Sequence, residues 1–342
     1  MKNIAKILFV VISSLSLMLS AKAGELTVNG SATATYNATS GQQKDNGLGI
    51  SNELNFTASG EMDNGFTWSY SMELDPDESD GGDAKNDDTQ ITIGMNDFGT
   101  VKLCVSECGN NAKYAFDASA YGKMSDTGLS EGIVYPDDEG SYASLQYHTP
   151  ELPFGTIASV AHGNQTAAGT STNKQASSGD SATFYSVKSS PIDGLSLNAS
   201  YYEKNDYDNG LSDSANQGEE GGAYGAKFAY GNLTVGYGKS FKAPEATLIT
   251  SGGSTVEYYE NTGLSLGYAV NDDLSVSYTS ESGEANYQTS STTNYDVEMD
   301  SVQVAYSLGG ATLSVARTDY ENIGYADGVD ATETIIALSF AF

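Results

Sequence analysis

From Glu25 onward apolar and polar residues alternate with a period of two, the spacing that sends successive side chains to opposite faces of a β-strand. Leu26, Val28, Gly30, Ala32, Ala34 and Tyr36 fall on one face, and Thr27, Asn29, Ser31, Thr33 and Thr35 on the other. The split recurs in Leu54, Phe56 and Ala58 against Glu53, Asn55 and Thr57, and in Phe66, Trp68, Tyr70 and Met72 against Thr67, Ser69, Ser71 and Glu73. Later runs repeat it, among them Leu195 to Tyr201, Leu233 to Tyr237, Leu264 to Tyr268, Leu274 to Tyr278 and Val302 to Tyr306. Each run is about nine to eleven residues long, which a tilted strand needs to cross a hydrocarbon layer. Aromatics gather at the ends of the runs, where a membrane interface would hold them.

The connections are of two kinds. Short ones carry turn formers: Asp63-Asn64-Gly65, Asp97-Phe98-Gly99, Pro150 to Pro153, Pro191 to Gly194, Gly231-Asn232, Asn271 to Asp273 and Gly309-Gly310. Long ones are polar and acidic: Ser40 to Gly49, Pro76 to Asp88, Gly163 to Gly179, Asn205 to Gly222, Lys242 to Ser254, Gly283 to Thr293 and Asn322 to Asp330. Counting both kinds gives about 16 strands, an even number that closes with both termini on one rim. The fold class expected is all-β, a transmembrane antiparallel up-and-down barrel, and a barrel of that size leaves an aqueous channel. No linker or internal repeat divides the mature chain.

Composition agrees with a wet interior, with Gly 38, Tyr 23 and only 39% apolar residues in 342. Residues 1–23 read as an export leader, with Lys2 and Lys6 before the apolar run Ile7 to Leu19 and small residues at Ala21 and Ala23. That run is short for a spanning helix, so an uncleaved anchor is the weaker reading, and residues 24–342 form the expected barrel domain. Loss of Lys2, Lys6 and Lys22 leaves 12 basic residues against 45 acidic ones, a net charge of −33. That charge argues against nucleic acid as a partner. Acids lining a confined path would attract cations.

The last segment sets Thr334, Ile336, Leu338, Phe340 and Phe342 on one face and ends on an aromatic. In this ending, and in its start Gly24-Glu25-Leu26-Thr27-Val28-Asn29-Gly30, the chain resembles the Gram-negative outer-membrane porins of the general diffusion type. The resemblance implies an outer-membrane location, a homotrimer in contact with membrane lipid and lipopolysaccharide, passage of small hydrophilic solutes and ions, and an assembly signal at Phe342.

The longest connection, from about Val105 to Gly140, follows the fifth strand. In the family this third extracellular loop folds into the channel, and the resemblance implies a constriction here, with Asp117, Asp126 and Glu131 as its favoured acids among Asp137, Asp138 and Glu139. The family commonly opposes such acids with wall arginines, but Arg317 is the only arginine here and shares parity with Leu313 and Val315. Strand parity instead puts Lys102, Lys188 and Lys227, with Glu53 and Glu73, on polar faces as candidate pore wall, and Lys239 is a further strand lysine.

Cys104 and Cys108, the only cysteines, are a disulfide candidate in an oxidising compartment, provided the strand at Cys104 does not hold them too far apart. No cofactor is expected, although the stretch Asp75 to Asp88 is dense enough in oxygen ligands to take Ca2+, without EF-hand spacing. His148 and His162 sit in no nucleophile motif, so an enzyme is not expected. Three readings remain: a passive cation-favouring porin, a substrate-selective channel of the same fold, and a structural or adhesive barrel that displays acidic loops.

Overall fold

The computed structural model describes residues 24–41, 46–76, 84–105, 108–123, 132–138, 142–165, 181–205, 216–247, 255–289 and 292–342. The leader, the acids Asp126 and Glu131, and residues 77–83 of the Asp75 to Asp88 stretch lie outside them. The alternating segments form strands β1 (Leu26–Gly41), β2 (Asn46–Glu61), β3 (Thr67–Pro76), β4 (Ala84–Gly94), β5 (Thr100–Val105), β6 (Tyr142–His148), β7 (Ile157–Gln165), β8 (Ser181–Ser189) and β9 (Leu195–Asn205). They continue through β10 (Asn216–Gln217), β11 (Glu220–Tyr230), β12 (Leu233–Ala243), β13 (Ala246–Thr247), β14 (Val256–Ala269), β15 (Leu274–Tyr287), β16 (Val297–Ser307), β17 (Ala311–Glu321) and β18 (Ala331–Ala341).

Among the described residues, β10 and β13 pair with each other, and the other 16 strands close a barrel in which each pairs with its neighbour along the chain. Closure comes from β1 against β18, antiparallel from Ser31↔Ala341 to Gly41↔Ala331. Gly30 N–H donates to the Phe342 carbonyl at 2.8 Å and Phe342 N–H returns the bond at 3.0 Å, so the terminal residue completes the seam. A closed ladder satisfies every strand amide without water, the condition for crossing lipid.

The seven short turns fall where turn formers are predicted, at the ends of β2, β4, β6, β8, β11, β14 and β16. Gly65, Gly99, Gly194, Gly231 and Gly309 take positive φ there, a region in which a side chain would be strained. Strands run further into the long connections than alternation indicates. Ser40 and Gly41 belong to β1, Asn46 to Gly49 to β2, and Ala84 to Asp88 to β4. Beyond the hydrocarbon a strand needs only its ladder bonds, so its end carries no apolar alternation.

The expected faces are the observed ones. Leu264, Leu266, Tyr278, Val302, Val304, Leu313, Val315 and Ile336 are exposed on the outer surface, while their neighbours Ser265, Ser277, Thr279, Ser301, Gln303 and Ser314 are buried on the inner one. Arg317 lies outward beside Asp319 at 3.1 Å, and Lys239 lies outward against Glu260 at 2.5 Å.

Candidate functional site

The inner surface is covered along one side by the described parts of the connection between β5 and β6. Its first part, 108–123, is hydrogen-bonded to inner-face side chains of successive strands. Ala112 N–H donates to Ser200 Oγ on β9 at 2.9 Å, Ala118 N–H to Ser265 Oγ on β14 at 2.9 Å and Ala120 N–H to Ser277 Oγ on β15 at 2.8 Å. Gln303 on β16 accepts from Tyr121 N–H at 2.8 Å and donates to the Gly122 carbonyl at 2.8 Å. The second part, 132–138, runs back. Ile133 joins Val297, Met299, Tyr320 and Ile323 in a small apolar cluster, and Tyr135 donates to Glu281 at 2.6 Å.

Of the three favoured acids only Asp117 is described. Its carboxylate accepts from Ser119 Oγ at 2.6 Å, and its carbonyl accepts from Lys227 Nζ at 3.2 Å. Asp117 and Lys227 share a cleft of about 760 Å³ with Ser119, Asp193, Ser196 and Thr234. Lys188 Nζ donates to Asn110 Oδ1 at 3.3 Å, and Asn110 and His148 both bond Gln146, whose register partner on β5 is Lys102. No described carboxylate pairs with Lys102, Lys188 or Lys227. Glu53 and Glu73 stand on the inner faces of β2 and β3, opposite Ser31 and Asn55.

A family profile for Gram-negative porins matches residues 9–342. The chain belongs to the Gram-negative porin family. It is a channel-forming protein of the outer membrane. Solved structures with the same fold include Salmonella typhi OmpF in complex with daunomycin, 14% identical, at a TM-score of 0.67 over 93% of this porin and 98% of that chain. An anion-selective porin from Comamonas acidovorans, 13% identical, reaches 0.67 over 93% and 100%. Vibrio cholerae OmpT in a trimer form, also 13% identical, reaches 0.66 over 94% and 100%. No curated protein sequence matches this porin.

The returning part of the porin's long connection ends in an ion network that strand reading misses. Asp137 bonds Lys242 at 2.5 Å and Lys204 at 3.0 Å, and Glu219 bonds the same two lysines at 3.3 and 2.8 Å. Burial pushes the Asp137 carboxyl up, but the hydrogen bond and charge of Lys242, and then of Lys204, outweigh it and hold the group below the ordinary carboxylate range. The parity of Lys204 with Ser200 and of Lys242 with Ser240 was legible, but their partner Asp137 lies more than sixty positions away in the chain. Cys104 and Cys108 form a disulfide where the connection leaves β5, with Cα atoms 5.9 Å apart. Among the described residues no group of three or more His, Cys, Asp and Glu gathers as a metal site requires.

Proposed function

We propose that this porin is a passive channel for small hydrophilic solutes and ions, that the connection between β5 and β6 narrows its lumen, and that it favours cations. Residues 1–23 are removed as the leader, residues 24–342 form the barrel, and three copies assemble in contact with outer-membrane lipid and lipopolysaccharide. The trimer form of the OmpT structure supports the last point. The carrying observation is the wet inner face of a closed 16-strand barrel with a long connection bonded along it at Ser200, Ser265, Ser277 and Gln303. Cation preference rests on the excess of 45 acids over 15 bases in the whole chain, whose field enriches cations at the mouths.

A second reading, a channel selective for an anionic solute, is favoured by one observation. Lys102, Lys188 and Lys227 form an inner sector that no described carboxylate neutralises. Reversal potentials of single channels in a planar bilayer under a salt gradient separate the two. A cation-side potential at low salt supports the first reading, an anion-side potential supports the second, and absence of conductance overturns both.

A further inference from the structure

Glycines form a row across three neighbouring strands of the inner wall. Gly225 of β11 pairs directly with Gly238 of β12, and Gly238 pairs directly with Gly263 of β14. Glycine weakens a strand and marks places where another part of the chain comes close. Here the close part is Phe116. A side-chain carbon added at Gly263 would overlap the Phe116 ring, one at Gly236 would strike its carbonyl, and one at Gly238 would stand 2.7 Å from its Cδ1. The track continues on either side, since a carbon added at Gly225 would stand 2.9 Å from Ala115 Cβ and one at Gly267 would stand 2.7 Å from the Ala118 carbonyl. Phe116 is only 3% exposed, although it belongs to a connection and stands inside a wet barrel.

We infer that Phe116 is a positioning residue of the conducting path: its ring keys into the socket of Gly238 and Gly263, with Gly225 giving room to Ala115 beside it, and this seat fixes Asp117 and the free width of the lumen. The inference deepens the channel reading and rests on it. With the wall reduced to backbone at these positions the connection sits closer to it than side chains would allow, and this depth sets how far the connection narrows the lumen. Asp117 follows directly, with its carbonyl on Lys227 and its carboxylate on Ser119. The neighbouring bonds of Ala112 to Ser200 and Ala118 to Ser265 set the height of the connection. A hydrogen bond to a lumen-facing hydroxyl competes with water, whereas the seated ring does not, so the ring is the hold that keeps the segment from swinging into the path.

The test uses the purified porin in planar bilayers, with folded barrel verified by heat-modifiable mobility. F116A should give closing events at least about tenfold more frequent, because deleting a buried ring removes more stabilisation than one decade requires. The effect of D117N on reversal potential, present in the wild type, should shrink in the F116A background. F116L, which still fills the socket, should restore both properties. G263V, which pushes the ring out from the other side, should reproduce F116A, and G263V combined with F116A should lie nearer the wild type than G263V alone. If F116A fails to fold, F116L and G263V carry the test. Wild-type closing and an undiminished D117N effect in both F116A and G263V would overturn the inference. A wild-type porin without conductance would overturn the channel reading instead.

Discussion

Asp137 shows how one side chain ties a distant connection to the wall. It faces two ammonium groups, and Asn111 Nδ2 donates to its carbonyl at 2.6 Å. Because its carboxyl is held below the ordinary range, the tie is fully present above the unfolded carboxylate value of about 4 and is lost as pH falls through the lower folded value. Closures in single-channel records should therefore become more frequent as pH is lowered below about 4. D137N should show them at neutral pH and should lack the acid step, at a cost of about 1.5–3 kcal/mol for the lost charge-assisted bonds. E260Q is the comparison, since Glu260 pairs with Lys239 on the outer surface, and its closing should match the wild type. A D137N channel with wild-type closing at pH 7 and an unchanged acid step would remove Asp137 from this role.

At the scale of elements, the seam between β1 and β18 depends on the last residue. Phe342 exchanges two backbone bonds with Gly30, and its ring lies where a Gly30 side chain would be, 2.9 Å from the added carbon. Deleting Phe342 should lower the amount of folded porin in the outer membrane while leaving the strand pattern intact. Unchanged amounts of folded porin, measured by heat-modifiable mobility of outer-membrane fractions, would count against it. A second element-scale outcome concerns the long connection. If the proposed constriction holds, replacing Asp117, Asp126 and Glu131 with Asn and Gln should lower cation preference more than neutralising Asp80, Asp83 and Asp87, because a charge in a narrow lumen is poorly screened and a charge outside it sits in salt water. Equal shifts of reversal potential would mean that the connection does not narrow the path.

The elements themselves were legible because their cause is local. Period two assigned Lys102, Lys188 and Lys227 inward and put Arg317 with Leu313 and Val315, and the seven turns announced themselves by glycine, proline and asparagine. The seat of the connection was not legible in that way. Phe116 reads as one aromatic in a polar stretch, and its partners lie more than a hundred positions away. One signal was present: Gly225, Gly236, Gly238, Gly263 and Gly267 fall on the polar parity, where serine or threonine would serve a merely wet wall. A run of glycines at inward positions on adjacent strands is the trace that a docked segment leaves in a sequence.

At the scale of the whole molecule, net charge and lumen charge separate. A count of acids treats every carboxylate alike, but the closed wall sorts them. Glu220 takes a hydrogen bond from Tyr201 at 2.5 Å and Asp300 one from Tyr278 at 2.6 Å, both on the outer surface, and Asp319 stands there beside Arg317. Asp137 and Glu219 are matched by Lys204 and Lys242. What remains on the inner wall includes Glu53 and the lysine sector of Lys102, Lys188 and Lys227. On the proposed cation-favouring reading, acids at the mouths and in the narrow part work against that sector. Both contributions act within a Debye length of about 8–10 Å, so the preference should weaken as salt is raised toward 1 M, where the length is about 3 Å. Position should decide the sign of substitution effects. Replacing Lys102, Lys188 and Lys227 with methionine removes three positive charges from the path and should raise cation preference, read as a larger cation-side reversal potential in a low-salt gradient. Replacing Glu220, Asp300 and Asp319 with their amides changes net charge by the same amount in the opposite sense, yet should leave the reversal potential within error, because the barrel wall stands between those groups and the permeating ions. If the outer set moves the potential as far as the lysine set, selectivity is governed by the field of the whole molecule and not by the groups that face the path.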